Sequence, residues 1–483
     1  MRFENPKAGE HLTLMTKTKR CNYFEIALLA LFGITTSLAF SGSTANGSNS
    51  RQQCIDCAIV GGGPAGLATA IAISASSPSS SIVVFERDAF QPKGASIQIS
   101  KSGWKSIAAL GDGDKSLTKK LEETAVPVIS VEIKSWEEID EVIVGRRARL
   151  RTFLTRKLQK LKSKAINVLA SRVITRVHLW HDVRVVLSEH ANQKYRGSYN
   201  AVDNNGDENG DGSQPLVNLN HSLENIQPLS PLEQQDGARF VLSFKNMVSG
   251  EELKTRARHI VACDGIKSKV RSILPNEPDV LLAENKSVWR GLAPNISTSG
   301  KATFYRGVSD SNNAGRSGLI FPGGKNVGSS WTIISDVEDQ RSNSEEESRR
   351  RVLNIVQSMG KDSDNFKLFK QVIDESSIII ESKLHVRDFD KPWESSYDGL
   401  IYVGDSAHPV RPTGEGTALA FEDANVLGKV ISKFGLCDEA LREYENERYE
   451  PVKRISEQVK NMAQNFYKSN EGGPVAHVNV EEP

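Results

Sequence analysis

The sequence predicts an α/β protein with an α+β second domain, in which a parallel-sheet domain is interleaved with an antiparallel sheet and followed by a C-terminal helical segment. Three apolar runs predict buried strands, because each is followed by a glycine-containing turn and then by a helix-forming segment. In two of the three turns an aspartate stands next to the glycine. These runs are residues 57–60, 259–263 and 399–403. Residues 287–380 are strand-like and broken by glycines, which predicts the antiparallel sheet. At 483 residues the chain exceeds what one hydrophobic core usually supports, so two closely joined domains are expected.

The composition is that of a globular protein without a nucleic-acid partner. Hydrophobic residues make up 38% and charged residues 25% of the chain, and a net charge of +1 leaves no basic surplus to neutralise phosphates. The five cysteines are few and odd in number, which argues against a disulfide framework. Cys54 and Cys57 have the C-x-x-C spacing, but no second pair completes a zinc site, so no metal site is predicted.

Residues 1–50 have the features of a targeting presequence. Lys17, Lys19 and Arg20 precede residues 26–40, an apolar run of 15 residues that is short for a membrane span but suits the core of a signal peptide. Small residues precede a cut before Phe40, and residues 41–50 are polar without an acid. The arrangement resembles the two-part presequence of algae with complex plastids. It predicts entry into the secretory route and transport to a plastid, with plain secretion or an N-terminal membrane anchor as alternatives and no stable span in the mature chain.

The first glycine turn has the spacing of a dinucleotide site. Gly61, Gly63 and Gly66 follow the G-x-G-x-x-G pattern between an apolar strand and a helix-forming segment. The first glycine permits the turn, the second lets the backbone approach a pyrophosphate, and the third lets helix pack on strand. Glu86 ends the next apolar run, where a carboxylate can accept hydrogen bonds from a ribose. The turn predicts a Rossmann-type domain and leaves open whether the dinucleotide is NAD(P) or FAD.

Between the first and second runs the sequence predicts strands and a helix. Residues 128–136 and 142–144 have the β-branched content of strands. Arg151 lies one turn before Leu154 and Leu158, which share one helical face.

A long polar segment lies between two predicted strands, residues 183–187 and 239–244. Residues 191–237 are rich in Asn, Asp, Gly, Gln and Ser and bury too little apolar area to offset their ordering entropy. They predict a disordered insertion in a hairpin loop. Their closely spaced acids resemble a calcium loop, but the glutamate that such a loop requires is missing.

The second and third runs end in aspartate and glycine. Asp264-Gly265 follows the second run, and Gly404-Asp405 follows the third, before the glycine-rich residues 414–416. Alone, such a pair is common in turns.

Together, in their order and spacing, the three motifs resemble those of the single-component FAD-dependent monooxygenases, a family that includes aromatic-ring hydroxylases and zeaxanthin-epoxidase-like flavoproteins. The resemblance covers roughly residues 54–460 and implies FAD as the cofactor. It implies that the glycine pattern and Glu86 hold the ADP part, that Arg151 approaches the flavin, and that Asp405 approaches the ribityl chain. The implied cofactor-binding residues are Gly61, Gly63, Ala65, Gly66, Glu86, Arg87, Arg151, Asp264, Gly265, Gly404, Asp405, Pro412, Gly414, Glu415 and Gly416.

The resemblance also implies the reaction. NAD(P)H, as a visiting co-substrate, reduces FAD, dioxygen is captured as a flavin hydroperoxide, and one oxygen atom is inserted into an aromatic or isoprenoid-like small molecule. No side chain is predicted to be catalytic, and His408 is interpreted as structural. Trp289, Arg290, Phe321 and Pro322 are the candidates for the substrate wall. A reductase of the related geranylgeranyl type, without oxygenase activity, is the alternative.

The chain departs from the family pattern near the flavin. The family usually has glutamine where this chain has Glu415, and asparagine where it has Ala418. A carboxylate there would disfavour an anionic reduced flavin. Two interpretations stay open: Glu415 points to solvent, or it is a specific acid for the substrate.

The motifs divide the chain into segments. These are a presequence (1–50), the first part of the FAD domain (51–190), a disordered insertion (191–237), the second part of the FAD domain (238–285), the substrate-domain sheet (286–385), the third part of the FAD domain (386–435), and the C-terminal helix and tail (436–483).

Overall fold

A computed structural model describes residues 54–91, 95–110, 115–137, 175–195, 215–307, 315–336, 342 and 344–468. The predicted presequence, the predicted strand 142–144 and Arg151 with its helix lie outside the described residues. The strands are β1 (Cys54–Val60), β2 (Ile82–Phe85), β3 (Ser96–Ile99), β4 (Val126–Val128), β5 (Ser130–Ser135), β6 (Thr175–Leu179), β7 (Val217–Asn218), β8 (His221–Pro228), β9 (Phe240–Asn246), β10 (Glu252–Ala262), β11 (Leu281–Ala293), β12 (Lys301–Arg306), β13 (Ser317–Pro322), β14 (Ser329–Asp336), β15 (Ile379–Arg387) and β16 (Leu400–Tyr402). The helices are α1 (Pro64–Ser76), α2 (Lys101–Ala109), α3 (Lys115–Thr124), α4 (Trp180–Lys194), α5 (Lys269–Ile273), α6 (Glu345–Val356), α7 (Asp364–Glu375), α8 (Gly416–Phe434) and α9 (Asp438–Lys468).

Five strands of the first sheet run parallel, in the order β7-β2-β1-β10-β16. The first half of β10 also pairs antiparallel with β9, which in turn pairs with β8. Helix α1 lies between β1 and β2 in the chain, as a parallel pair requires of its connection. The predicted α/β fold with a Rossmann-type domain is therefore confirmed.

The first sheet is buried on both faces. Helices α1 and α8 cover one face, where they pack on side chains of β1, β10 and β16 such as Ile59, Val261 and Ile401. On the other face Phe85 of β2 stacks on Phe244 of β9, with ring centroids 4.0 Å apart. A strand buried on both faces has a continuous apolar sequence, which is why these strands stand out in the chain.

The second sheet has the order β15-β11-β14-β13-β12-β5, and only β5 runs parallel to its neighbour. Helices α6 and α7 cover one of its faces. The sequence analysis missed both helices. The signals were present, because the Ser344 hydroxyl accepts a hydrogen bond from the Glu347 amide at 3.1 Å, and the Ser363 hydroxyl caps α7 in the same way.

A third sheet, β3-β6-β4, lies beside the second. It leads into α4, and the prediction of a strand at residues 183–187 is wrong. Val183, Val185 and Val186 favour a strand by propensity, but the buried apolar positions Val183, Val186, Leu187 and Ala191 follow the helical period.

The prediction of disorder over residues 191–237 is wrong for its described parts. Residues 191–194 end α4, residues 217–218 form β7, and residues 221–228 form β8. Leu223 and Ile226 are buried under the sheet, but the pairing register shifts between Leu223 and Asn225. This irregularity breaks the alternation of apolar and polar residues by which a strand is recognised.

Within the described residues, no helix combines the length and the apolar character needed to cross a membrane.

Candidate cofactor site

Four predicted site segments meet at one edge of the first sheet. Gly61 follows β1, Glu86 follows β2, Asp264 follows β10 and Asp405 follows β16. Because the four strands are parallel, their carboxyl ends lie along the same edge. In open α/β sheets this is the edge where ligands bind.

The first glycine turn is held by close backbone contacts. Gly61 has φ +105°, and an added Cβ there would lie 2.5 Å from the carbonyl oxygen of Cys263. A Cβ at Gly66 would lie 1.9 Å from the carbonyl oxygen of Gly61. The turn also contacts the third motif, because a Cβ at Gly404 would approach the Cβ of Ala65 to 2.9 Å. Gly63 differs from these positions, since a Cβ there would meet no atom within 4 Å.

Glu86 is buried and bonded to the glycine turn. Its Oε2 accepts a hydrogen bond from the Gly62 amide at 2.6 Å, and its Oε1 accepts one from the Asp88 amide at 2.9 Å. The next residue, Arg87, is largely exposed and lies 3.9 Å from the Asp88 carboxylate. The carboxylate of Glu86 therefore sits where the sequence predicts the ribose.

Arg184 of α4 is a member of this site that the sequence analysis missed. Its Nε donates to the Gly62 carbonyl at 2.9 Å, and its Nη2 lies 3.2 Å from Oε2 of Glu86. Burial lowers the pKa of the guanidinium, and Glu86 partly offsets that effect. The spacing of Arg151, Leu154 and Leu158 recurs in α4 as Trp180, Val183 and Leu187. That spacing is the signal that would have identified α4 as a helix at the site.

The second motif is fixed by the start of α5. Oδ2 of Asp264 accepts a hydrogen bond from the Val270 amide at 2.9 Å, while its Oδ1 is buried and has no partner among the described residues. Burial raises the pKa of this carboxyl, against the hydrogen bond from Val270. Arg271 of α5 reaches the third motif, where it donates to the Ser406 carbonyl at 3.2 Å and packs over the Tyr402 ring.

The side chain of Asp405 is accessible to solvent although protein surrounds it. It therefore lines a cleft. Desolvation raises its pKa, and His408 and Arg290 act in the opposite direction. Arg290 is half-buried on β11, where burial lowers the pKa of its guanidinium and the charge of Asp405 raises it. The second sheet thus brings one cation to the cleft beside the third motif.

Behind Asp405 the third motif is anchored by a buried ion network. Oδ2 of Asp423 accepts hydrogen bonds from the Gly404 amide at 2.9 Å and from Nε2 of His408 at 2.6 Å. Oδ1 accepts from Nε of Arg448 at 2.6 Å. Although burial alone would raise it, the pKa of Asp423 is lowered to about 2, because His408 and Arg448 lie against the carboxylate. His408 is buried and stacks on Trp393, a position that favours its structural interpretation.

The glycine-rich segment before α8 lies against β3. Gly414 has φ +100°, and a Cβ there would lie 3.0 Å from Oε1 of Gln98. A Cβ at Gly416 would lie 3.7 Å from Oδ1 of Asp405, and Pro412 is half-buried beside this segment. The segment and the third motif therefore line one cleft.

The orphaned polar atoms and open spaces of this edge fit a dinucleotide such as FAD. Added Cβ atoms at Gly63 and Gly265 would meet no atom within 4 Å. The buried Oδ1 of Asp264 has no partner among the described residues, and Asp405 carries an accessible carboxylate. The N-terminus of α1, next to Gly63, favours a phosphate through its unpaired amides and its dipole.

Comparison with known proteins agrees with this geometry. Residues 227–459 match a family model described as an FAD binding domain. The fold is similar to CtdE in complex with FAD and a substrate (TM-score 0.60, 15% identity, 87% of this chain and 91% of that chain covered). It is similar to Klebsiella pneumoniae HpxO complexed with FAD and uric acid (TM-score 0.57, 15% identity, 86% and 90% covered) and to the tetracycline destructase Tet(51) (TM-score 0.55, 14% identity, 86% and 92% covered). No curated protein matches the chain by sequence.

Residues 227–459 thus match an FAD binding domain, and the fold is that of FAD-bound proteins of known structure. FAD, the cofactor that the resemblance of the three motifs implies, agrees with this match.

The alternation of side chains along β11 places the residues of the predicted substrate wall on two different faces of the sheet. Trp289 faces α6 and α7 and is fully buried with Tyr305 and Trp331, so its placement in the wall is wrong. Arg290 faces the opposite side, toward Asp405. Successive side chains of a strand point to opposite faces of the sheet, and the sequence of one strand does not show which of the two faces borders the cleft.

The other two wall candidates are also displaced from the cleft. Phe321 lies on the same face as Arg290 but is buried with Val128 and Val177 under the third sheet. Pro322 is buried at the end of β13 and borders a separate groove of about 400 Å³. Leu292, Phe304, Leu319 and Thr332 are half-buried on the side of Arg290, where the registers of β11 to β14 place them, and Phe304 and Leu319 also pack against the cluster that contains Phe321.

Glu415 has an environment that bears on its two interpretations. The side chain is half-buried, and desolvation raises its pKa, followed by the like charge of Glu422 two turns along α8. Ion pairing of Glu422 with Arg448 directs that face of α8 toward α9. Glu422, the like charge that raises the pKa of Glu415, therefore lies on the side of α9.

Proposed function

We propose that the protein is an NAD(P)H- and O₂-dependent FAD monooxygenase that inserts one oxygen atom into a small, largely apolar, aromatic or isoprenoid-like acceptor with an anionic group. The observation that carries the proposal is the position of Arg290. It is a cation on the sheet face that lies opposite the third FAD motif, with the half-buried Leu292 next to it along β11.

The strand ends would bind the cofactor. The turn at Gly63 with the N-terminus of α1 would hold the pyrophosphate, Glu86 a ribose, and Asp405 the ribityl chain. Bound FAD supplies the redox chemistry, namely oxidation of NAD(P)H and activation of O₂. The chain's own contribution is to position the reactants and to limit the access of water.

The cleft face of the second sheet suits an apolar acceptor. Leu292, Phe304 and Leu319 are half-buried there, so an acceptor that covers them removes apolar surface from water. Burial of that surface stabilises the complex by about 25 cal/mol per Å² before the costs of association. The same contact displaces water from the region between the sheet and Asp405.

Arg290 would orient the acceptor through an anionic group. Within the described residues its guanidinium makes no hydrogen bond, and Asp405 is the opposite charge that its pKa reflects. A hydrogen bond between a guanidinium and a carboxylate in such a place contributes about 1.5–3 kcal/mol. Its fixed fork geometry favours a planar carboxylate or enolate over a neutral group. HpxO, a structural neighbour, was solved with uric acid, which supports a small-molecule acceptor site in this fold.

The experiment is a screen of acceptors for stimulated NAD(P)H oxidation and O₂ uptake by the purified protein. Aromatic carboxylates, neutral aromatics and isoprenoids are compared with NADH and with NADPH. We expect stimulation by an anionic acceptor, and we expect Arg290→Gln to raise its KM by roughly 10-fold or more while Arg290→Lys raises it less.

Two results would contradict the proposal. Acceptor reduction that continues without O₂ would favour the reductase of the geranylgeranyl type. If Arg290→Gln raised the KM of anionic and neutral acceptors equally, Arg290 would have no role in recognising the anionic group of the substrate.

A further inference from the structure

Arg184 is clamped between two aromatic rings next to Glu86. Its guanidinium carbon lies 4.0 Å from the ring centroid of Phe90 and 4.2 Å from that of Trp180. The residue is 2% exposed, and its Nε is bonded to the Gly62 carbonyl. Rings on the guanidinium and a fixed acceptor at Nε leave the group little freedom to rotate.

The held guanidinium restricts Glu86 in turn. Oε2 of Glu86 receives the Gly62 amide and faces Nη2 of Arg184, while Oε1 receives the Asp88 amide. A carboxylate has about four lone-pair sites, so these three contacts leave about one acceptor site, and it belongs to Oε1. The contacts to Oε2 therefore decide which oxygen remains available for a ligand.

We propose that Arg184 is a positioning residue that holds Glu86 with Oε1 available to the adenosine ribose and thereby sets the preference of the FAD site for a 2′-hydroxyl. The proposal rests on FAD being the bound cofactor. It differs from a general stabilising role, because it acts on one hydroxyl of the ligand. Loss of Arg184 opens a second acceptor site on Oε2 and removes a contact that fixes the rotation of the carboxylate, so Oε1 is no longer held toward the ribose.

The test is a titration of the apoprotein of the full chain with FAD and with its 2′-deoxyadenosine analogue, followed by flavin fluorescence. A hydrogen bond to a charged acceptor corresponds to a preference of roughly 10-fold or more for FAD in the parent protein. We expect Arg184→Gln to reduce that preference to below about threefold. Glu86→Gln should reduce it similarly, and the double variant should reduce it no further than Glu86→Gln alone, because the two residues act through one hydrogen bond.

The chain offers a matched control in Arg176. This arginine also packs over a tryptophan, with its guanidinium carbon 4.5 Å from the Trp104 centroid, and pairs with Glu122 at 3.0 Å, but it belongs to β6 in the third sheet. Arg176→Gln should leave the preference for FAD unchanged.

Arg184→Lys covers the case in which Arg184→Gln fails to fold. Lysine keeps the charge but lacks the planar fork that contacts Gly62 and Glu86 together, so we expect an intermediate preference. A parent-like preference in the soluble Arg184 variant, with affinity for both ligands reduced equally, overturns the proposal, as does a parent protein that binds both ligands equally. A parent protein that binds neither ligand refutes the FAD assignment itself.

Discussion

Replacing Asp423 with asparagine removes the charge that holds the third motif. The carboxylate is fully buried between His408 and Arg448, and its pKa is lowered from 3.8 to about 2. A lowering of this size corresponds to roughly 2–3 kcal/mol of stability at neutral pH. The variant also leaves Arg448 without its closest buried partner, a change that typically costs about 3–5 kcal/mol. We expect Asp423→Asn to lower the free energy of unfolding by about 3 kcal/mol.

The same carboxylate sets a pH dependence. Because its folded pKa is lower than its unfolded value, its contribution is fully present above about pH 4 and is lost as the pH falls through about 2. About 1 kcal/mol should be lost between pH 7 and pH 3. The difference in unfolding free energy between parent and Asp423→Asn should therefore shrink over that interval.

Urea unfolding at pH 7, 5, 4 and 3 measures both effects. Asp438→Asn is the matched control, since Asp438 pairs with Arg239 but is partly exposed, and its replacement should cost no more than about 1 kcal/mol. If Asp423→Asn were within about 1 kcal/mol of the parent at pH 7, the buried network would not stabilise the third motif as argued.

Further predictions concern the glycines, the polar segment and the second sheet. Gly63→Val should abolish FAD retention with little change in the melting temperature of the apoprotein. Gly66→Ala should lower that melting temperature, because the added Cβ would clash with the backbone of Gly61. Flavin absorbance and thermal melts check both. Deleting residues 191–237 should abolish soluble protein, because the deletion removes β7 and β8; soluble, yellow protein would contradict this. Leu319→Ala should raise the KM for the acceptor with a small change in the free energy of unfolding. Trp289→Ala should lower the free energy of unfolding by about 3–5 kcal/mol, because Trp289 is fully buried. Steady-state kinetics and urea unfolding measure the two effects.

The parallel sheet and its ligand edge were predictable because their signals are local. A strand buried on both faces is apolar throughout, Gly61 has a positive φ that favours glycine, and the close contact that requires Gly66 is with Gly61, five residues before it. The residues after the strands, such as Glu86, Asp264 and Asp405, then meet at one edge because parallel strands share a direction.

The remaining parts depend on contacts between distant segments. Arg184 belongs to the site only because α4 packs against α1 and so brings the guanidinium to Glu86, and the valine-rich sequence of α4 favours a strand by propensity. Trp289 and Arg290 are neighbours in the sequence on opposite faces of β11, and only the positions of α6 and α7 decide which face is covered. β8 was not predicted because its pairing register shifts between Leu223 and Asn225, so that its sequence lacks the alternation of apolar and polar residues.

Oxygen-18 labelling tests the central claim most directly. The purified protein is supplied with FAD, NAD(P)H, labelled dioxygen and the acceptor that most stimulates NAD(P)H oxidation, and the product is analysed by mass spectrometry. The account predicts a product that carries one labelled oxygen atom, formed only in the presence of dioxygen. An unlabelled product, or one formed by reduction without dioxygen, would contradict monooxygenation at this cleft.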